Sequence, residues 1–407
     1  MRYAGCMIIR EIYLERIRPF YDSELIKVIS GVRRCGKSTV LVQIISELKA
    51  RGVEDDQILY INFEDFQFQE ITEATALYTY IQQHLKPGKK TYLFIDEIQN
   101  VDRFELVINS FRATTDVSIF ITGSNSKLLS GELATHLTGR TVNFKIMPFT
   151  FREYHDFLRS RGNQRQRSEL FEEYLEWGGF PLVAQEEDPR VKHVILSSHY
   201  DSIVLKDIIM RNRVASPHTL ERVLDYVIAN SSTTISGNAI AKSLSDHVQR
   251  VSAPTIYDYL RYISEACVCD LVPRYDIRGK AQLSFLEKVY VCDLGFFTMR
   301  KNRVKDELGY LFETLCYNEL IARGYAVYVG KTQRGEVDFI AERGGKRSYY
   351  QVCYLMNSRE TVEREFGAFA SIADNYPRYV LSMDPVNLSR DGILHLNIID
   401  WLLTDDR

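Results

Sequence analysis

Gly31-Val32-Arg33-Arg34-Cys35-Gly36-Lys37-Ser38 follows an apolar run at residues 25–30 and precedes Val40, Leu41, Ile44, Ile45 and Leu48, which recur at helical spacing. Strand, glycine-rich loop and helix is the context in which G-x-x-x-x-G-K-S makes a phosphate cradle. The glycines let backbone N–H groups turn inward around phosphates, and the helix N-terminus adds partial positive charge. A chance match to the four fixed positions in a chain of this length is on the order of one in a hundred. The stretch predicts a nucleoside triphosphate site in which Gly31, Arg34, Gly36, Lys37, Ser38 and Thr39 bind the nucleotide. Lys37 is expected to reach the β- and γ-phosphates and the Ser38 hydroxyl to complete a magnesium shell, so ATP and Mg2+ are the cofactors implied.

Working outward, residues 57–63 read as a second strand ending in Glu64-Asp65, and residues 91–95 as a third ending in Asp96-Glu97. Strands alternating with helices predict an α/β fold, a parallel P-loop sheet with helices on both faces, whose ligands sit beyond the carboxyl ends of the strands. Asp96 is then expected to hold the metal with Ser38, and Glu97 to polarise the attacking water as a general base. A fourth strand at 117–122 runs into Gly123-Ser124-Asn125-Ser126, where Asn125 or Ser124 is placed to sense the γ-phosphate, or a serine to cap the next helix. Arg140 is read either as a charge-stabilising guanidinium, acting within the chain or in a neighbouring subunit, or as a structural ion pair. Arg33 and Arg34 put two guanidinium groups inside the loop, one of them for phosphate or an acidic partner.

The bulk numbers allow several cores. At 407 residues with 45% hydrophobic content, three domains is the starting expectation, and a net charge of −3 argues against coating nucleic acid through bulk charge. Seven cysteines, at 6, 35, 267, 269, 292, 316 and 353, show no zinc-type spacing, and one lies in the phosphate loop, which fits a reducing cytoplasm. No apolar run approaches the roughly 18 residues that span a bilayer, so no membrane partner is expected. Residues 1–7 lack the apolar core of a signal peptide, and Met7 is an alternative start.

GVRRCGKS, LFIDEIQ, ITGSNSKLLSGELATHLTGR and WGGFP together resemble the AAA+-type ATPases of prokaryotes that carry an uncharacterised C-terminal domain. The resemblance covers nearly the whole chain. It implies an ATP-binding core, metal and water-activating roles for Asp96 and Glu97, and a C-terminal half built from a winged helix and a nuclease-like fold; it implies no substrate.

The domains expected are a P-loop core at 1–145, a helical lid at 146–215, a winged helix-turn-helix at 216–300 and a restriction-endonuclease-like domain at 301–407. Trp177-Gly178-Gly179-Phe180-Pro181 interrupts the lid as a rigid elbow, either a turn anchored in the core or a nucleotide contact. Three short helices from Leu220 to Ala266 followed by two strands give the winged-helix order, with Thr255, Tyr257, Asp258 and Arg261 toward a groove and Arg274, Arg278 and Lys280 on the wing for duplex DNA phosphates. Glu265 and Asp270 dilute that charge. Beyond residue 300, Glu313 on an amphipathic helix and Asp338 on a strand resemble a nuclease's metal carboxylates, but Gln351-Val352-Cys353 stands where an acid and a lysine belong. A thiol cannot replace an ammonium group beside a scissile phosphate, so binding or assembly is expected there, not cleavage.

Three functions remain: an ATP-hydrolysing switch whose Mg-ATP state controls the C-terminal domains, a DNA-dependent ATPase or nuclease-associated protein, and a non-hydrolysing scaffold. Partners beyond ATP are duplex DNA, a protein, or a second copy of the chain.

Overall fold

The computed structural model describes residues 8–123, 139–245, 251–299, 308–332 and 335–404, without the side chains at 283–285. Helix α1 (Glu11–Ile17) leads to β1 (Ile26–Ser30), all five residues of which are buried, as in a strand covered on both faces. Helix α2 (Lys37–Ala50) starts directly after Gly36 and buries Val40, Leu41, Ile44 and Leu48. The unit continues through β2 (Ile58–Asn62), α3 (Ala74–His84), β3 (Thr91–Asp96), α4 (Phe104–Thr114), β4 (Val117–Gly123) and β5 (Thr141–Lys145). All pairings are parallel, in the order β2-β3-β4-β1-β5. The strand carrying the loop is therefore central, and β4 separates it from β3. Ser30 is in register with Gly123 and Lys145, so the loop and the acidic ends share one sheet edge. Ile26, Val28, Leu93, Ile95, Ile119 and Ile121 of the strands pack with Leu77, Ile81, Ile108 and Phe111 of the helices to form the core.

Lys27 is enclosed in that sheet. Its Nζ donates to Ser118 Oγ at 2.8 Å and to Ser23 O at 3.1 Å and lies 4.5 Å from the Phe120 ring centre. Burial, with Lys90 adding repulsion, pushes its ammonium down to about 7. Between that value and the roughly 10.4 of an unfolded lysine, the unfolded chain holds a proton the folded chain lacks, so stability rises with pH across the interval. Below it the penalty is fully present, roughly 4–5 kcal/mol at 1.36 kcal/mol per pH unit. Lys27→Met is expected to be more stable than the parent at pH 6.5, with an advantage that shrinks toward pH 10. Ser118 Oγ keeps its own acceptor, Tyr21 O. Urea melts of both chains across that range check it; a gap that does not narrow would mean that Lys27 stays protonated in the fold as in the unfolded chain, its charge not weakened by burial.

The described chain divides into two compact units, Ile9–Ile146 with Glu265–Cys267, and the remainder from Met147 with Ile8. In the second unit, helices Phe151–Ser160, Arg167–Trp177 and Pro189–Ser202 precede Pro217–Ala229, Gly237–Leu244 and Ala253–Glu265. Next come β6 (Cys269–Asp276), β7 (Ala281–Val291), the helix Leu308–Ala322, and β8 (Ala326–Lys331), β9 (Glu336–Arg343), β10 (Lys346–Val352), β11 (Arg378–Ser382) and β12 (Leu394–Asn397). These strands make one mixed sheet in the order β12-β11-β10-β9-β8-β6-β7. The limits expected at 215 and 300 are not seams between compact units, because β6 pairs in parallel with β8 and carries the hairpin into the C-terminal sheet.

The Trp177–Pro181 elbow is held inside this unit. Asp293 accepts from Gly179 N–H at 2.7 Å and Gly295 N–H at 2.9 Å, and burial pushes its carboxyl up to about 7 despite those donors. A Cβ on Gly178 would overlap Asp293 Oδ1 and one on Gly179 would overlap Phe149 O, so both positions admit only glycine. Of the two readings of the elbow, this is the core turn.

Candidate nucleotide site

The loop leaves β1 with Gly31 at φ 151°, passes Arg34 at φ 67° and enters α2 through Gly36 at φ 106°. Gly31 is packed so closely that a Cβ would overlap Ile146 O and lie 2.9 Å from Cys35 Sγ. The backbone at Gly31 thus packs directly against Ile146 and Cys35, and Cys35 N–H closes the turn on Val32 O at 3.3 Å. Lys37 is buried, and its Nζ donates to Gly31 O at 3.1 Å and Val32 O at 3.3 Å, 3.7 Å from Glu97 Oε1. Burial opposes its charge, but Cys35, Glu97 and Asp96 outweigh that and hold the ammonium above its ordinary value. Ser38 and Thr39 follow in the first turn of α2, Ser38 exposed. Arg34 is exposed, whereas Arg33 pairs with Glu64 at 2.9 Å and so takes the acidic partner.

Asp96 and Glu97 end β3 beside the loop, both buried. Glu97 adopts the left-handed conformation, φ 57°, which turns the chain sharply off the strand. Thr122, at the end of β4, locks the pair: its Oγ1 donates to Asp96 Oδ1 and accepts from Glu97 N–H at 3.0 Å. Tyr60 Oη donates to Asp96 Oδ2 at 3.2 Å, and Gln99 Nε2 donates to Glu97 Oε2. Arg10 lies against the loop from outside: fully buried, it donates from Nη1 to Cys35 O at 3.0 Å, while its backbone N–H donates to Gln43 Oε1 at 3.0 Å. Thr122, Tyr60, Gln99 and Arg10 were not singled out in the sequence. Thr122 is detectable as the polar last side chain of a buried strand; nothing local marks Arg10.

One expected residue is placed elsewhere. Arg140 precedes β5, and its carbonyl accepts from Ile26 N–H at 2.9 Å at the start of β1, which puts it at the sheet edge opposite the loop. Its Nη1 donates to Asn109 Oδ1 at 2.7 Å. A role toward the phosphates of its own chain is corrected, because the length of β1 separates the two edges. Asn125 and Ser124 lie outside the described residues.

In the second unit, Glu313, Asp338 and Gln351 line one cleft of about 330 Å3 with Tyr310, Arg364 and Glu365. Cys353 is not among them; it packs in an apolar cluster with Met356, Phe366 and Phe369, and burial pushes its thiol up. Arg274, expected on the wing, is instead paired with Glu336 at 3.2 Å. Arg278 and Lys280 are exposed; Arg261 is exposed and pairs with Asp258 at 3.0 Å.

A phosphate loop entering a helix, with an acidic pair at the end of a strand two places away in the same parallel sheet, is the arrangement of a P-loop domain, and the model of the AAA domain family matches residues 23–155. A domain of unknown function (DUF8612) matches residues 168–306. An uncharacterised protein of Haemophilus influenzae is 36% identical over 98% of this chain and 100% of its own length, and the uncharacterised protein MJ1544 of Methanocaldococcus jannaschii is 32% identical over 89% and 81%. The chain belongs to one family with these two relatives. Among solved structures it is similar to Cdc6p from Pyrobaculum aerophilum (12% identity, 72% of this chain and 92% of that one, TM-score 0.31) and to AMPPCP-bound DnaA from Aquifex aeolicus (15%, 63% and 86%, 0.31). Likeness of that degree identifies no activity and no partner. No helix among the described residues is long and apolar enough to cross a membrane.

Proposed function

We propose that the chain binds and hydrolyses Mg-ATP and uses the nucleotide state as a switch for its second unit. The observation that carries the reading is the convergence of Lys37, Asp96 and Glu97 on a glycine cradle too tight for any side chain. The donor set fits the group: two cradle glycines at positive φ, a buried ammonium that stays charged, a hydroxyl at the helix start and a carboxylate held by Thr122 and Tyr60. Bound magnesium would neutralise phosphate charge there, held by Ser38 and Asp96. Glu97 orients and deprotonates the attacking water; in the structure Lys37 and Gln99 hold its carboxylate. Phosphate competes for Lys37, which links nucleotide arrival to the freedom of the base. Arg140, on the far edge of the sheet, serves a neighbouring copy or a structural role that includes Asn109.

The order of helices and hairpin between 217 and 291 supports a winged helix, but of Arg261, Arg274, Arg278 and Lys280, the four expected to meet DNA, two are engaged by Asp258 and Glu336. That favours a protein partner or a second copy over duplex DNA. The test is phosphate release by the purified chain with and without duplex DNA. Turnover indifferent to DNA agrees with the switch reading; several-fold stimulation would move the assignment to a DNA-dependent ATPase, and none under any condition to a scaffold.

Arg10 acts as a positioning residue for the loop. Arg10→Met is expected to raise KM for ATP roughly tenfold, the scale of one hydrogen bond from a charged donor, with little change in kcat. Arg10→Lys should restore part of it. A fall in kcat at unchanged KM would contradict the assignment.

A further inference from the structure

Behind the cleft in the second unit, a lysine reaches its Glu313 where the pattern around Gln351 and Cys353 supplies none. Lys288 comes from β7, where it faces Val272 of β6 on one side and bridges Thr234 on the other, so its stem rises from backbone paired at both edges. Its Nζ lies 2.9 Å from Glu313 Oε1 and 2.5 Å from Glu336 Oε1, and the residue is only 7% exposed. We propose that Lys288 is the built-in cation of this cleft, occupying the place where Glu313, Asp338 and Glu336 would otherwise gather a divalent metal ion, and that removing its ammonium creates a metal site.

The partners of each carboxylate carry the argument. Glu313 Oε1 receives Lys288 and also the Tyr290 hydroxyl at 2.6 Å. Glu336 receives Lys288 on one oxygen and Arg274 on the other. Asp338 Oδ2 accepts from Val352 N–H at 2.8 Å, and its burial pushes the carboxyl far above its usual range, toward the neutral acid. Glu365, on the cleft wall, is paired with Arg364 at 2.6 Å. Glu313 and Glu336 thus face Lys288 and Arg274, and the wall acid has its own cation. A divalent ion entering this balance would be repelled by Lys288 and Arg274 without unclaimed anionic charge to hold it. Consistent with that, no three His, Cys, Asp or Glu side chains among the described residues are grouped to hold a metal. Burial alone would discharge Lys288; Glu313, Asp338 and Glu336 reverse this and raise it above an ordinary lysine. The inference does not depend on the ATPase reading, since it concerns other residues and needs no nucleotide.

The test is Mn2+ binding to the nucleotide-free full chain, read as loss of the free Mn2+ signal in electron paramagnetic resonance. The parent chain and Glu313→Gln are expected to bind the same number of ions up to millimolar Mn2+. Lys288→Met is expected to gain one ion per chain, and the gain should vanish in the Lys288→Met, Glu313→Gln double variant. An ion bound by the parent and lost in Glu313→Gln would overturn the proposal. So would a Lys288→Met chain with parental circular dichroism that gains nothing. If that variant fails to fold, Lys288→Gln, which removes the charge but keeps a polar side chain and all three acids, carries the same expectation and the same refutation.

Discussion

Gly31→Ala is expected to weaken ATP binding by roughly 100-fold or more and to lower the unfolding midpoint by several degrees, the range for overpacking combined with backbone strain. The new methyl would overlap Ile146 O and crowd Cys35 Sγ. That carbonyl cannot retreat cheaply, because Ile146 N–H donates to Ser30 O at 2.8 Å and extends the β1–β5 pairing by one step. The φ of 151° adds strain that any side chain meets. Relief must come from the loop itself, which moves the amides that face phosphate. Gly52→Ala is the control: it too sits at positive φ, 93°, but with nothing within 4 Å of the added atom, so it isolates strain from collision. Nucleotide affinity by calorimetry and thermal melts of both chains check the prediction; a Gly31→Ala chain that binds ATP as the parent does would mean the cradle is not the binding site.

Glu97→Gln is expected to reduce turnover by about 10²–10⁴-fold while leaving ATP binding close to the parent's, the usual scale for loss of a general base. The amide preserves the size of the side chain and the Thr122 bond to the backbone N–H, but it cannot take a proton. Lys37→Ala should lose binding and turnover together, because its ammonium is the positive group placed among the loop carbonyls and the acids. The contrast between the two variants is the informative result. Equal turnover in parent and Glu97→Gln, measured as phosphate release at saturating ATP, would remove Glu97 from the chemistry.

The strands of the first unit were legible because each is a short apolar run bounded by turn or acidic residues, a pattern that parallel sheets impose on buried strands. The loop, Asp96 and Glu97 were legible because motif residues lie at fixed offsets from strand ends. Arg140 was misplaced within its own chain for the complementary reason: it follows the phosphate strands in sequence, but β5 runs parallel to β1, so its start lies at the other edge. Thr122 and Arg10 were missed because their partners are 25 or more residues away.

In the second unit the sequence read the helices and strands but not their joining. Alternation and capping are local, so β6, β7 and the strands beyond residue 325 could be anticipated one by one. That β6 pairs with β8, making the expected wing part of a larger sheet, follows from long-range pairing that no window of residues encodes. The same holds for the cleft. The pattern around Gln351 and Cys353 shows that a lysine is missing there, while Lys288, some 63 residues earlier, arrives through β7, and Cys353 turns into the core. What the sequence by itself determined is the α/β character of the first unit and the place of its glycine loop between a strand and a helix, since both reside in contiguous residues. What only the tertiary structure decided is which charges meet, because a side chain's partner depends on strand order and register, and these are settled by packing across the whole unit.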